Sequence, residues 1–314
     1  MPSSDSVRTW SVSYLISNSM KPNVALCLSS GGSRGMAHIG AIEELLARGY
    51  TISSISGTSI GSLIAGIYAS GKIHEAHDWF CSLDKQQILS LTDFSFGLSY
   101  VVKGNKVLEA IKQWVPDCDI QDLPIPVAMV ATDILNSREV VFTSGKLFDA
   151  IRASISIPMV FEPYNWQDTL LVDGGLTNPF PLNRTPRIGG DILVGVNISA
   201  QDHMQTGVSI PTLPEKWGIN KLETVTKLWD KLSKDLGEFT PQINLASLIN
   251  RTIDVQIQAN CRIMAEACKP EVLVEMPQNA YSTFDFDKAE EILNKGRELM
   301  ANALDKYEAK MLQE

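Results

Sequence analysis

Three short stretches of this chain carry residue types and spacings suited to acyl chemistry. The first is Gly57-x-Ser59-x-Gly61, set between a stretch at 51–56 that reads as a short strand and a helical pattern at 62–69 that stops at Gly71. A serine on such a bend presents its hydroxyl at the carboxyl end of the strand, where open α/β sheets bind ligands. Glycines two before and two after it relieve the crowding of the turn. The motif alone also marks ordinary turns; its strand–turn–helix setting is what favours a nucleophile.

The second stretch, Ser30-Gly31-Gly32-Ser33-Arg34-Gly35, follows a compact apolar run at 24–29. Consecutive glycines let backbone amides turn inward as a nest, and the helix that follows adds a positive dipole end. Such a nest stabilises the oxyanion of a tetrahedral acyl intermediate, and it can equally hold a phosphate. A dinucleotide fingerprint would need Gly where Ser30 stands and an acid near the end of the strand at 51–56, which has none. No Gly-Lys-Ser/Thr closes the loop as a P-loop requires. The third stretch is Leu170-Leu171-Val172-Asp173-Gly174-Gly175. It ends an apolar strand either with a plain Asp–Gly turn or with a carboxylate on the same sheet edge as Ser59.

A serine nucleophile usually takes its base from histidine, and the chain has only four. His38 falls inside the helix after the Gly-rich loop and reads as a hydrogen-bonded packing residue. His74 and His77 flank Glu75 on a polar helix face, without a third ligand that would make them a metal pair. His203 lies in a polar connection. None follows an apolar strand as a triad base would.

The elements that must position these residues follow the βαβ pattern. After the strand at 24–29, Met36, Ile39, Ile42, Leu45 and Leu46 recur at helical spacing up to Gly49. Further strands are expected at 127–132, 140–143, 170–172, 192–198 and 272–275, with helices at 106–113 and 147–154. A polar connection from Gln201 to about Gly218 leads to helical patterns at 221–236, 244–268 and 286–311. The fold class expected from this order is α/β with a mainly parallel central sheet. Residues 1–20 read as an N-terminal arm and 21–314 as one domain, with 201–268 a helical insertion on the main sheet.

Composition narrows the partners. The chain has 314 residues, 44% of them hydrophobic and 20% charged, so it is long and apolar enough for a large single core. A net charge of −9 with no Lys/Arg stripe argues against nucleic acid and against standing attachment to anionic lipid. Five cysteines, odd in number and without zinc spacing, suit reduced thiols in a cytoplasmic protein. No run reaches the ~18 apolar residues of a membrane span. The stretch Phe94–Val102 fits either a lid over an acyl groove or buried core. Trp217 and Trp229, with the apolar face of Leu222 to Leu236, fit core packing, a second subunit or a transient membrane-surface contact; a homo-oligomer is compatible with this.

Together, Ser30-Gly31-Gly32-Ser33-Arg34-Gly35-Met36-Ala37-His38-Ile39-Gly40, Gly57-Thr58-Ser59-Ile60-Gly61 and Asp173-Gly174-Gly175 resemble the three motif blocks of the patatin-like phospholipase family. A fourth stretch, Arg152 to Pro163, resembles the family's pocket-forming segment, and the match runs in register from about Asn23 to Ile198. The chain is most similar to small bacterial members. The resemblance implies a three-layer α/β/α sandwich, acyl-ester hydrolysis on lipid or related carboxyl esters, a Ser59–Asp173 dyad and no metal or organic cofactor. It implies an oxyanion hole from the amides of Gly31, Gly32, Ser33 and Arg34, the elbow glycines Gly57 and Gly61, and pocket residues Ser154, Pro158 and Phe161. Ser30 departs from the family, many members of which carry Gly there; its amide remains. Acyl transfer or thioester cleavage with the same dyad, a non-catalytic regulatory module and phosphate binding by the Gly-rich loop are the competing readings.

Overall fold

The computed structural model describes residues 21–91, 105–158, 160–202 and 245–313. Its strands are β1 (Asn23–Leu28), β2 (Thr51–Thr58), β3 (Val127–Asp133), β4 (Arg138–Phe142), β5 (Tyr164–Trp166), β6 (Thr169–Asp173), β7 (Ile192–Ala200) and β8 (Val272–Pro277). The helices are α1 (Met36–Ala47), α2 (Ile60–Ala69), α3 (Ile73–Ser82), α4 (Lys85–Leu91), α5 (Asn105–Lys112), α6 (Leu147–Ser154), α7 (Leu245–Cys268) and α8 (Ala289–Met311).

Five strands run parallel in the order β3-β2-β1-β7-β8. β3 and β7 are buried along their whole length, as expected of parallel strands covered on both faces. The side chains alternate accordingly. Val24, Leu26 and Leu28 enter the larger core with α1, α2, α3, α6 and α8, whereas Ala25 and Cys27 enter a smaller one with Phe180, Leu182 and Cys261 of α7. Crossovers from β1 to β2 and from β7 to β8 step in opposite directions along the sheet. Right-handed connections therefore put α1 on one face and α7 on the other. The three-layer α/β/α architecture follows.

The expected strands and the helices at 62–69, 106–113, 147–154 and 244–268 all appear within two residues of their expected bounds. The last helix opens with a short 3-10 turn at Phe286–Lys288 before α8. β5 and α4 had no sequence signal; three residues are too few to show a period. The arm at 1–20, the stretch Phe94–Val102, His203 and the helical pattern at 221–236 lie outside the described residues.

The arrangement around β3 is what positions the site. β2 pairs in parallel with Val127–Val130, β6 pairs antiparallel with Ala131–Asp133, and β4 runs opposite Met129–Asp133. Because β4 overlaps both, β2 and β6 must share the other side of β3, end to end. Thr58 is thus the register partner of Val130, and Asp173 that of the next residue, Ala131. The carboxyl ends of two strands running toward each other meet at one point of the sheet.

Candidate active site

Ser59 follows β2 at once, with φ 58° and ψ −125°. This left-handed conformation strains any residue with a side chain and aims the hydroxyl away from the strand. The bend is tight. A Cβ on Gly57 would lie 2.6 Å from the Ser62 nitrogen and closer still to the Gly61 backbone, while one on Gly61 would lie 2.7 Å from the Ser29 carbonyl oxygen. Neither obstacle is a flexible side chain. Gly57→Ala is therefore expected to lose about 3 kcal/mol or more in urea unfolding, or to give no folded protein. Gly189→Ala, whose Cβ would meet nothing within 4 Å, is expected to stay within about 0.5 kcal/mol of the parent.

Asp173 ends β6, and Thr132 Oγ1 donates to its carbonyl at 2.9 Å. The Gly175 amide donates to Oδ1 at 2.7 Å, and the Ser59 hydroxyl donates to Oδ2 at 2.5 Å. Both residues are buried, with Ser59 4% and Asp173 6% exposed. Burial raises the carboxyl group to about 6, against the two hydrogen bonds from Ser59 and Gly175, which favour the ionised form. An aspartate is usually too weak a base for a hydroxyl; desolvation brings this one close to the range useful near neutrality.

The Gly-rich turn lies against both. A Cβ on Gly35 would fall 2.9 Å from Ile60 Cγ2, one residue past the serine, and a Cβ on Gly175 would fall 3.6 Å from the Ser30 hydroxyl. Gly32 has φ 59°, and residues 32–35 form a 3-10 turn leading into α1. The first amides of a helix have no partners within it, and among the described residues those of Gly31 and Gly32 donate to no backbone carbonyl elsewhere. Ser33 departs from the sequence expectation: its amide donates to the Thr283 carbonyl at 3.0 Å and is not available to an oxyanion. Its hydroxyl donates to the Ser282 carbonyl at 2.7 Å. The buried Arg34 side chain donates to the carbonyls of Ile198 (2.9 Å) and Tyr281 (2.8 Å). Burial lowers its guanidinium to about 10, so it stays charged at neutral pH, beneath the turn.

His38 is buried in α1, and its Nε2 lies 2.9 Å from the Ser29 carbonyl. A carbonyl only accepts, so Nε2 carries the proton. Burial lowers this imidazole to about 4, which leaves it neutral at pH 7. His77 Nδ1 pairs with Glu43 at 2.6 Å. Among the described residues no group of three or more His, Cys, Asp and Glu is placed to hold a metal.

Of the three expected pocket residues, Pro158 and Phe161 are half-buried, whereas Ser154 is fully buried beneath the elbow. Its hydroxyl meets Ser59, Ser62 and Val130, so it has nothing to offer a bound chain. Local spacing holds no hint of this, because the partners lie 24 to 95 positions away.

An elbow serine and an Asp-Gly-Gly turn thus meet at the carboxyl edge of a mainly parallel sheet. The family model described as patatin-like phospholipase matches residues 26–185, and the chain belongs to that family. An uncharacterized NTE family protein of Mycobacterium tuberculosis is 30% identical over 93% of this chain and 94% of its own length. Human patatin-like phospholipase domain-containing protein 6 is 26% identical over 87% of this chain, which corresponds to 20% of that protein. Lysophospholipase NTE1 of Candida glabrata is likewise 26% identical over 87% of this chain and 15% of its own length. Among solved structures, VipD from Legionella pneumophila aligns over 92% of this chain and 67% of its own, at 14% identity and a TM-score of 0.46. Among the described residues no helix is long and apolar enough to cross a membrane.

Proposed function

We propose that this chain is a cytoplasmic serine acyl hydrolase acting on carboxyl esters of lipids, phospholipid or lysophospholipid among them, through a Ser59–Asp173 dyad. The observation that carries this reading is the buried 2.5 Å hydrogen bond from the Ser59 hydroxyl to Asp173 Oδ2, beside the Gly-rich turn. The names of the yeast and human relatives support lipid esters as the substrate class.

In the first step Ser59 Oγ attacks the ester carbonyl carbon while its proton passes to Asp173 Oδ2. The carbonyl π electrons move onto oxygen, and the oxyanion is received by the amides of Gly31 and Gly32, each such donor being worth roughly 3 kcal/mol. Collapse expels the alcohol, which takes the proton from Asp173, and leaves an acyl-Ser59 ester. In the second step water gives its proton to Asp173 and adds to the acyl carbon. The second collapse returns the proton to Ser59 Oγ and frees the fatty acid. The chain's own residues supply every proton position in this scheme. A buried carboxylate beside the nest repels a phosphate, which weighs against phosphate binding there.

The scheme requires an ionised Asp173. With the carboxyl group at about 6, kcat/KM on a soluble short-chain ester is expected to be flat above pH 7 and to fall about tenfold per unit well below pH 6. A profile that rises toward acid, or one with an acid limb near 4, contradicts the assignment of this aspartate as the base.

A further inference from the structure

The segment that ends α6 touches both halves of the dyad. Ser154, the last residue of that helix, accepts the Ser59 amide on its hydroxyl oxygen at 2.8 Å and donates its proton to the Val130 carbonyl at 2.5 Å. Val130 is the β3 residue in register with Thr58, so one hydroxyl ties the elbow to the sheet from below. Two residues on, the Ser156 carbonyl accepts the Asp173 amide at 2.9 Å. Ser59 and Asp173 are 114 positions apart in the chain, yet their backbones hang from positions 154 and 156 of one turn.

That turn is itself braced. Arg152, one helical turn before Ser156, donates from Nη1 to the Ser156 hydroxyl at 2.6 Å and from Nη2 to the Glu162 carbonyl at 2.9 Å. Ser156 in turn donates to the Arg152 carbonyl at 2.8 Å. Ser154 and Ser156 are both fully buried. A strained residue keeps a left-handed φ only where its surroundings over-determine it. The Ser154 hydroxyl holds the one backbone donor that Ser59 has.

We infer that the 154–156 turn is a gauge that fixes the separation of Ser59 and Asp173, and that Ser154 is the positioning residue through which it acts on the nucleophile. This rests on the reading of Ser59 and Asp173 as a catalytic pair. Ser154 touches neither substrate nor the reacting atoms; it sets where the Ser59 hydroxyl stands against Oδ2. A displacement of about 1 Å at a reacting group lowers turnover on the order of a hundredfold without changing how substrate is held.

The test uses the full chain with Ser154→Ala and Ser154→Cys, and Ser56→Ala as a control. Cys fills the site with a larger sulfur that is only a weak acceptor, and Ala removes the acceptor without adding bulk, so the two together read the loss of the hydrogen bond. Ser56 is a buried serine within β2 whose hydroxyl meets Thr185 Oγ1 at 2.7 Å and the Pro181 carbonyl at 3.3 Å. On a p-nitrophenyl ester, kcat of folded Ser154→Cys is expected to fall about 10- to 100-fold with KM within about twofold. The rate at which a fluorophosphonate labels Ser59 is expected to fall by the same factor, and Ser56→Ala to stay within about threefold of the parent. Equal losses in Ser154→Cys and Ser56→Ala, or an unchanged kcat in Ser154→Cys, overturn the gauge while parent labelling at Ser59 leaves the dyad standing. A parent enzyme that is not labelled at Ser59 overturns both.

Discussion

Asp173→Asn is expected to lose turnover by between about 10²- and 10⁴-fold and, at neutral pH, to become the more stable protein. Asn keeps the size of the side chain and an Oδ1 for the Gly175 amide, which lies 2.7 Å away in the parent. It cannot take a proton from Ser59. The stability change follows from linkage. The parent carboxyl group moves from 3.8 in the unfolded chain to about 6 in the fold, chiefly by desolvation. The folded state therefore binds this proton more tightly than the unfolded one. Its destabilising contribution is absent below about pH 4, grows as pH rises through 6 and then levels at about 3 kcal/mol, at ~1.4 kcal/mol per unit. Asn carries no such charge. The gap in unfolding free energy between variant and parent should open between pH 4 and 6 and stay open above 7. Equal stability at pH 7.5, or a gap that widens toward acid, would mean that Asp173 is not held against desolvation in this way.

The second large effect concerns the elbow. Ser59→Ala and Ser59→Gly both remove the proposed nucleophile, and each is expected to reduce ester turnover by at least about 10⁴-fold. They differ in the backbone. At an ordinary position Gly is the less stable of the two by about 0.5–1 kcal/mol, because it loses more freedom on folding. At φ 58° the order reverses, since Ala keeps a strain of about 1–3 kcal/mol that Gly does not feel. Thermal unfolding should place Ser59→Gly above Ser59→Ala. Both lack the same hydroxyl, so the hydrogen bond to Asp173 drops out of the comparison, and the inverted order isolates the strain.

Much of this architecture is written in local pattern. β1 and β7 read as strands because a parallel strand covered on both faces is a nearly unbroken apolar run. α7 is recovered almost to the residue because its periodicity extends over 24 residues. Ser59 is conspicuous because only glycine fits where Gly57 and Gly61 meet neighbouring backbone. The head-on approach of β2 and β6 is a different kind of fact. It depends on a register with β3, and nothing in the run Leu170 to Asp173 tells a parallel strand from an antiparallel one.

The errors share that origin. Ser33 looks like its neighbours in the nest, but its amide is engaged by Thr283, 250 positions downstream. Ser154 sits among residues that resemble a pocket segment, and its burial beneath the elbow is set by contacts with β2 and β3. Tertiary hydrogen bonds decide which amides remain free and which hydroxyls are structural. Local spacing carries no record of them.

In the proposed mechanism a buried Asp173 makes Ser59 nucleophilic. The most direct test is peptide mapping by mass spectrometry after the parent and Asp173→Asn are treated with a fluorophosphonate at pH 7.5. The parent should carry one adduct, on the peptide containing Ser59, formed in step with the loss of esterase activity, and Asp173→Asn should acquire it far more slowly. Activity that survives without an adduct at Ser59, or equal labelling rates in the two proteins, contradicts the account.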